Sequence, residues 1–455
     1  MKQRGIMIQV MLLLVFMLGI IAISGCSNKT DKETKDGQSG NKELDVAVFE
    51  GGFGRDFWDA LAANFEKDYP GTKINITANP KIGEMIRPKI INGNPPDLVY
   101  LNQTDPSGVT QGLIKEHGLT DLTDVFESKA LNEDIPLKDK ILPGMLETSF
   151  ASPYDDGKIY IAPYNYNVNG LWYNKTLFEE NNIQPPATWK EFFALNNVAK
   201  EHDRALFTYQ GTVPGYLAEI FIPAINDLGG QEALDQFFGY EPEFWKSDVA
   251  KEVLGIFKTI AEEENMLMNG TVALNHTQAQ TAFMQGKAMF ITNGSWFETE
   301  MKDAPREEGF EFGFLGIPAF EKGDPISAQV AIEQIYIPKE ADNKKLAKKF
   351  LKYMYTDKGV ILNGKKAKGV MAVKGAVDLV KDYITPSSYN TYKAVEEGMT
   401  PVTSDWKPLP KGTNIMPQDI LFNQAASVMN GEMTIDEWAD KMYEVYSQVQ
   451  ESMKE

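Results

Sequence analysis

Residues 44–77 read LDVAVFEGGFGRDFWDALAANFEKDYPGTKINIT, and this stretch predicts the fold class of the chain. Residues 44–49 form a short apolar run that is typical of a buried strand. After a glycine-rich turn, three large apolar residues recur at helical spacing: Phe57, Leu61 and Phe65. Pro70 and Gly71 end that helix, and residues 73–77 return to a strand pattern. A strand, a helix and a strand in succession predict a parallel sheet and therefore an α/β fold.

The loops that follow two predicted strands are the first candidates for a ligand site. In open α/β sheets, ligands bind beyond the carboxyl ends of the strands, where loops and helix N-termini converge. Gly52, Phe53 and Arg55 follow the first strand, and Asn102 follows the apolar strand at residues 98–101. An alternative stays open, in which the glycines only form a tight turn and the amide only caps a helix.

The amino terminus predicts export from the cytoplasm. Residues 1–25 combine the basic Lys2 and Arg4 with an apolar stretch over residues 6–23, which is the pattern of a secretory signal peptide. The alternative is a transmembrane helix, since about 18 apolar residues are enough to span a bilayer. The sequence Ile-Ser-Gly-Cys that ends at Cys26 resembles the lipobox of bacterial lipoproteins. This resemblance implies that Cys26, the only cysteine of the chain, is lipidated and anchors the protein to a cell membrane, facing outside the cytoplasm.

Residues 26–43 predict a flexible linker between that anchor and a globular body. Residues 27–42 contain no aliphatic or aromatic side chain to bury, so they have no reason to fold. As a random coil, a segment of this length lets the body move about 20 to 25 Å from the lipid. The remaining ~410 residues exceed what one hydrophobic core usually supports, so we expect two lobes.

The composition argues against several partners and chemistries. Removal of Lys2 and Arg4 takes the formal net charge from −19 to −21, which argues against nucleic acid and anionic lipid surfaces as partners. The chain has three histidines and no HExxH, GxSxG or paired-cysteine motif, so the sequence predicts no metal, no cofactor and no catalytic nucleophile.

Two capping boxes predict helix starts in the rest of the chain. Thr188 with Glu191 and Thr434 with Glu437 both have the required spacing. The second box begins a C-terminal helix with one apolar face: Trp438, Met442, Tyr446 and Val449. We expect these side chains, and three more tryptophans in helical contexts, to pack in the core: Trp58, Trp189 and Trp245.

Three longer segments carry motifs in a fixed order along the chain. Residues 157–189 read GKIYIAPYNYNVNGLWYNKTLFEENNIQPPATW, and residues 282–296 read AFMQGKAMFITNGSW. The third segment combines FGFLGIP at residues 312–318 with LAKKFL at 346–351 and TDKG at 356–359. Together they resemble the family 1 extracellular solute-binding proteins of ABC importers, the group that includes maltose-binding protein.

A narrower similarity rests on two of these motifs. GLWY at residues 170–173 and GSWFETEM at residues 294–301 are similar to motifs of lipoproteins assigned to N-acetylglucosamine and chitobiose uptake.

The family resemblance implies a two-lobed, type II periplasmic-binding-protein-like fold, in which each lobe is a mixed, mostly parallel sheet flanked by helices. It implies that the chain crosses between the lobes three times, near residues 165–167, 296–297 and 355–358. Lobe one would then hold residues 44–165 and 298–355. Lobe two would hold residues 168–296 and 356–455. A hinge of this kind converts ligand contacts into closure of one lobe on the other.

The expected ligand is a carbohydrate, whose hydroxyls and C–H faces call for planar polar groups and aromatic rings. The crossings would bring candidates of both kinds to the cleft: Tyr164, Asn165, Tyr166, Gly294, Ser295 and Trp296. Trp406 lies in a proline-rich loop with few aliphatic neighbours, so it has less reason to be core. Glu333 interrupts an apolar strand that the resemblance brings to the lobe interface, and Gln210 follows a strand in lobe two.

The expected function is therefore a monomeric, membrane-anchored binding protein that captures an oligosaccharide or amino sugar and delivers it to an ABC permease. One alternative is a glycan-active surface enzyme, which needs only two carboxylates. Pairs of carboxylates occur by chance among 64 acidic residues, so their presence decides nothing. Another alternative is a binding protein for a solute that is not a sugar.

Overall fold

The computed structural model describes residues 42–102, 105, 107–146, 148–154, 156–407, 409–410, 413 and 415–454. The predicted signal peptide, the predicted lipidation site Cys26 and nearly all of the predicted linker lie outside the described residues. None of the helices in the described ranges has the length and apolar character that a membrane span requires.

The described residues form nine strands that join in one sheet. The strands are β1 (Glu43–Phe49), β2 (Lys73–Asn79), β3 (Leu98–Leu101), β4 (Ile161–Asn174), β5 (Ala205–Thr208), β6 (Ala288–Gly294), β7 (Phe312–Leu315), β8 (Ser327–Tyr336) and β9 (Thr400–Thr403). The first half of the helices comprises α1 (Asp56–Asp68), α2 (Ile82–Ile91), α3 (Val109–Lys115), α4 (Thr123–Glu127), α5 (Leu137–Lys140), α6 (Lys175–Glu180), α7 (Trp189–Ala194), α8 (Asn196–Glu201) and α9 (Ala218–Phe238). The second half comprises α10 (Asp248–Glu262), α11 (His276–Met284), α12 (Phe297–Glu300), α13 (Lys344–Met354), α14 (Asp357–Ala367), α15 (Ala376–Val380), α16 (Pro386–Glu396), α17 (Pro417–Met429) and α18 (Ile435–Ser452).

Two long strands join the two halves of this mixed sheet. The strand order is β2-β1-β3-β8-β4-β6-β5, with β7 paired to β4 and β9 paired to β8. In one half β1 runs parallel to β2 and β3, and in the other β5 runs parallel to β6. The pairs of β4 with β8 and with β6 are antiparallel. β4 and β8 therefore run from one half of the molecule into the other.

The predicted unit at the start of the chain is confirmed as β1, α1 and β2. β1 alternates between the two faces of the sheet, because Val46 and Val48 enter one buried cluster and Ala47 enters another. The helix α1 buries Phe57, Leu61 and Phe65 against the first of these clusters. Both capping boxes are present, at the first turns of α7 and α18.

The interior divides into two main cores. The first core combines β1, β3 and α1 with the first half of β4, most of β8 and the helices α13 to α16. The second core combines the helices α9, α10, α17 and α18 with the second half of β4 and with β5 and β6. We call the elements around them the first and second lobes. The cores meet on β4, where Val168 belongs to the first and Leu171 to the second.

The packing does not place the second crossing between the lobes where it was expected, near residues 296–297. Residues 298–317 were expected in lobe one, but Met301, Phe310 and Phe312 pack with Trp172 and Phe283 on the other face of the second half-sheet. The strand β7 pairs with the second half of β4, which explains this placement. Along the chain, the next buried side chains of the first core belong to β8, beginning at Ala328.

The packing also does not place the third crossing where it was expected, near residues 355–358. Val360, Val370, Val377 and Tyr392 were expected in lobe two, but they are buried in the first core. The reason is that α14 packs directly on α1 and α15 on α14, so this segment completes the first lobe. Side chains of the second core return at Val402, on β9.

Candidate ligand-binding cleft

A cavity of about 1100 Å³ lies between the two cores, and residues of both lobes line it. The wall from the first lobe includes Phe49, Phe53, Tyr100 and Asn102. The wall from the second lobe includes Tyr216, Glu219, Trp296, Trp406 and Phe422. Between them, the joining strands β4 and β8 contribute a polar floor: Asn167, Asn169, Gln329 and Glu333. This volume is slightly above that of ordinary ligand pockets, which span roughly 300–1,000 Å³.

A β-bulge in the floor places Glu333. The register between β4 and β8 shifts between Pro163 and Tyr166, so Glu333 lies opposite the irregular part of β4. The Tyr100 hydroxyl donates a hydrogen bond to the Glu333 carboxylate at 3.2 Å. Burial raises the pKa of Glu333 to about 7, although hydrogen bonds from Tyr100 and Asn167 oppose the rise. The floor therefore carries a carboxyl group that titrates near neutral pH.

Neighbouring rings support the aromatic side chains of the second lobe. The Trp406 ring centroid lies 4.7 Å from that of Phe237, 5.1 Å from Phe238 and 5.6 Å from Tyr240. Trp296 meets Tyr216 edge-on, with 6.4 Å between ring centroids. These contacts hold flat apolar surfaces against the cavity, as a ligand with C–H faces requires.

Several buried polar atoms of the cavity residues have no hydrogen-bond partner among the described residues. They are Asn102 Oδ1, Asn169 Oδ1 and Glu219 Oε2. Each is an acceptor, so together they suit a ligand that carries hydrogen-bond donors.

Seven of the residues that the sequence predicted for the site line this cavity. They are Gly52, Phe53, Asn102, Ser295, Trp296, Glu333 and Trp406. The Ser295 hydroxyl also bonds the Tyr392 hydroxyl at 2.7 Å, and both side chains face the same space. The loops after β1 and β3 therefore reach the cleft, as their position at the strand ends predicted.

The aromatic pair expected at the first crossing lies in the core instead. Tyr164 is fully buried, stacks on Phe57 with 5.6 Å between centroids, and donates a hydrogen bond to Asn363 at 2.7 Å. Tyr166 is fully buried and packs edge-on against Tyr392. Both side chains lie on the face of β4 that packs against the helices of the first lobe, and not on the face that lines the cavity.

Four further predicted residues also lie away from the cavity. Asn165 accepts a hydrogen bond from Asn363 at 2.7 Å, and Gln210 donates to the Thr292 carbonyl at 2.8 Å. Arg55 forms an exposed ion pair with Asp59 at 2.9 Å. Gly294 is buried beneath the Trp296 ring, which lines the cavity, and a Cβ at this position would lie 2.1 Å from that ring. Gly294 thus makes room for Trp296 without lining the cavity.

The sequence predictions missed the segment that follows Gln210 and two asparagines of the floor. Residues 212–216 line the cavity immediately beyond the predicted strand end, as do Asn167 and Asn169 on β4. The spacing of these asparagines by two residues was a usable signal for one face of a strand. In the described part of the chain, no three His, Cys, Asp or Glu side chains are grouped to hold a metal ion.

Comparison with known proteins places the chain among binding proteins. A family model described as bacterial extracellular solute-binding protein matches residues 54–361. The diacetylchitobiose binding protein of Streptomyces coelicolor is 28% identical over 361 residues, which cover 78% of this chain and 74% of that protein. The multiple sugar-binding protein of Streptococcus mutans is 24% identical over 337 residues, which cover 72% of each chain.

Solved structures show the same two-lobed fold. The apo form of RafE from Streptococcus pneumoniae superimposes with a TM-score of 0.72 at 19% identity, over 92% of this chain and 100% of that one. A chitin oligosaccharide binding protein superimposes with a TM-score of 0.64 at 20% identity, over 90% of this chain and 100% of that one.

Proposed function

This chain belongs to the family of bacterial extracellular solute-binding proteins, and on that premise we propose that it captures an oligosaccharide between its lobes for an ABC importer. The names of its relatives support a sugar as the ligand, since they include binding proteins for diacetylchitobiose and multiple sugars. The protein binds and releases its ligand without chemical change, as a carrier requires.

The observation that carries the proposal is the lining of the cavity between the lobes. Trp296, Trp406 and Tyr216 supply flat apolar surfaces, and Asn102, Asn169 and Glu333 supply planar polar groups. Rings and planar groups in one cleft match the C–H faces and adjacent hydroxyls of a sugar. Several hydrogen bonds at ~1 kcal/mol each, with one or two stacked rings, are enough for ~8 kcal/mol, which is micromolar affinity.

The site of action that we propose is the outer face of a cell membrane. There a signal peptide directs export, Cys26 carries the lipid anchor, and a monomeric body delivers the sugar to the permease. A Cys26→Ser variant is expected to move from the membrane fraction to the soluble exported fraction of the cells.

The test is a titration of the purified full-length protein with a sugar panel, followed by tryptophan fluorescence and calorimetry. The panel contains N-acetylglucosamine, diacetylchitobiose, and oligomers of maltose, xylose and galactose. We expect saturable binding with micromolar affinity by one sugar class. Absence of heat and of fluorescence change across the whole panel would contradict the proposal.

A separate assay addresses the enzyme alternative. The protein is incubated with each bound oligosaccharide, and new reducing ends are measured over time. We expect none above the rate without protein, whereas clear turnover would show that the cleft acts on its ligand.

A further inference from the structure

Glu219 is a buried carboxyl group on the second-lobe wall of the cleft. It belongs to the first turn of α9, ahead of the kink at Gly230, and only 3% of its surface is exposed. It lines the cavity, yet its Oε2 atom has no hydrogen-bond partner among the described residues. Burial raises the pKa of Glu219 well above its usual range. A buried carboxylate is stable only when it is paired, and no described residue supplies a partner for Oε2.

Glu219 is part of a small acidic subsite, which we define as Tyr216, Glu219, Trp296 and Glu300. All four residues line the cavity. Burial raises the pKa of Tyr216, and the nearby carboxyl groups of Glu219 and Glu300 raise it further. The Trp296 ring completes the subsite by its edge-on contact with Tyr216.

The rest of the cleft lining is acidic as well. Among the described lining residues, the remaining carboxyl groups are Glu333, Asp405 and Asp419, and Lys368 is the only cation. Most of the carboxyl groups already accept protein hydrogen bonds: Glu300 from Gln280, Glu333 from Tyr100, and Asp405 from Ser149. Glu219 differs from these three because no described donor reaches its Oε2 atom.

We propose that the acidic subsite recognises a sugar ring that carries a free, protonated amine, as in a deacetylated amino-sugar oligosaccharide. The inference rests on the proposed function and names the ligand class of the same cleft. An ammonium group offers three donors and no acceptor, so it suits an unpaired carboxylate, and charge-assisted hydrogen bonds are roughly twice as strong as neutral ones. The faces of Trp296 and Tyr216 attract the same cation.

The proposal also predicts which sugars the cleft disfavours. An acetylated amine is neutral, so it cannot form an ion pair with the Glu219 carboxylate. A uronic acid adds a negative charge beside several carboxylates and is repelled by them.

The experiment compares three disaccharides by calorimetry near pH 6.5 and at low salt, with the purified full-length protein. The ligands are fully deacetylated chitobiose, diacetylchitobiose and a disaccharide that contains glucuronic acid. We expect the free amine to bind at least tenfold more tightly than the acetylated sugar, and the uronic acid to bind most weakly. Added salt reduces the preference for the amine, since charge attraction is screened.

Variants assign the effect to the subsite. Glu219→Gln keeps the shape of the side chain and is expected to reduce the preference for the amine to near parity, while diacetylchitobiose still binds. Glu232→Gln, at an exposed position of the same helix, is the matched control and keeps the full preference. If Glu219→Gln does not fold, Glu300→Gln tests the same subsite and is expected to lower the preference at least threefold.

The outcomes separate this inference from the proposed function. Equal binding of amine and acetylated sugar would overturn the subsite and leave the sugar-binding function standing. A preference for the amine that survives both Glu219→Gln and Glu300→Gln would overturn the subsite as well. Absence of binding by these disaccharides and by every sugar of the panel would contradict the proposed function itself.

Discussion

At the scale of the residue, Trp406 and Trp296 differ in how they are held. Trp406 packs against three rings of the second lobe, Phe237, Phe238 and Tyr240, and presents the rest of its surface to the cavity. Trp296 has one aromatic neighbour and depends on the absent side chain of Gly294 for its position. A ring that is already rigid loses little entropy on binding. Trp406 is therefore better preorganised for ligand binding than Trp296.

Replacement of Trp406 by alanine is expected to weaken sugar binding about ten- to hundredfold. The physical reason is the loss of a buried aromatic surface that contributes about 1.5 to 3 kcal/mol. Calorimetric titration with the ligand found in the panel measures the effect. Tyr443→Ala, on α18 and outside the cavity, is the control and is expected to bind as the unchanged protein does. Equal affinity of both variants would exclude Trp406 from the site.

Glu333 is expected to make stability depend on pH. Its pKa rises from 4.5 to about 7 in the folded protein, so the folded state binds more protons than the unfolded state between these values. The free energy of unfolding therefore falls as pH rises through this interval, by about 1 to 3 kcal/mol from this group. Glu333→Gln removes this contribution. Urea denaturation of both proteins at several pH values from 4.5 to 8 measures the difference, and parallel curves would contradict the shift.

At the scale of the element, helix starts were predicted well because their signal is local. The capping box at Thr434 uses the backbone N–H groups of Thr434 and of Glu437, three residues later, and both of its side-chain to backbone hydrogen bonds are present. The same holds at Thr188. By contrast, the bulge in β4 has no local signal. It changes which face of the strand each residue occupies, so Asn167 and Asn169 line the cavity while Asn165 bonds Asn363.

Thr434→Ala is expected to lower the free energy of unfolding by about 1 kcal/mol, because the first turn of α18 loses its side-chain acceptor. The helix buries Trp438, Met442 and Tyr446 in the second core, so the substitution destabilises the whole fold and not only the helix. Urea denaturation provides the measurement. Thr434→Ser keeps the hydroxyl and is expected to lose less than half as much. Equal losses in the two variants would show that the methyl group, not the cap, matters.

At the scale of the whole molecule, the cleft is a consequence of two separate cores joined by β4 and β8. Each core buries its own aromatic and aliphatic side chains, so one lobe can turn relative to the other without exposing either interior. The joining strands carry the polar floor, which places Asn167 and Glu333 where a relative rotation brings the walls together.

Ligand is therefore expected to reduce the radius of gyration and to raise the melting temperature. At about 100 times the dissociation constant, binding to the folded state alone adds about 2.7 kcal/mol of stability. Small-angle X-ray scattering and calorimetry measure the two effects on one sample. The Trp406→Ala variant at the same sugar concentration is the control. A melting temperature that rises without any change in the radius of gyration would show that binding does not close the cleft.

The sequence predicted those features whose signals lie within a few residues of one another. β1, α1 and β2 follow from local periodicity, and both capping boxes follow from spacing. The family resemblance added the two-lobed fold. Gly52, Phe53 and Asn102, which follow strand ends, line the cavity, since parallel strands deliver their loops to one edge, and their role in ligand binding stays a prediction.

Tertiary structure alone decided the features that depend on partners far apart in the chain. Tyr164 and Asn165 are core residues because Asn363, about 200 positions later, accepts a hydrogen bond from Tyr164 and donates one to Asn165. The helices α14 to α16 join the first lobe because α14 packs on α1, which no local pattern encodes. Glu219 is an ordinary helix residue in sequence, and only tertiary packing buries it on a cavity wall, where its Oε2 atom has no described hydrogen-bond partner. Burial and pairing are properties of the assembled fold, so they cannot be read from a single segment.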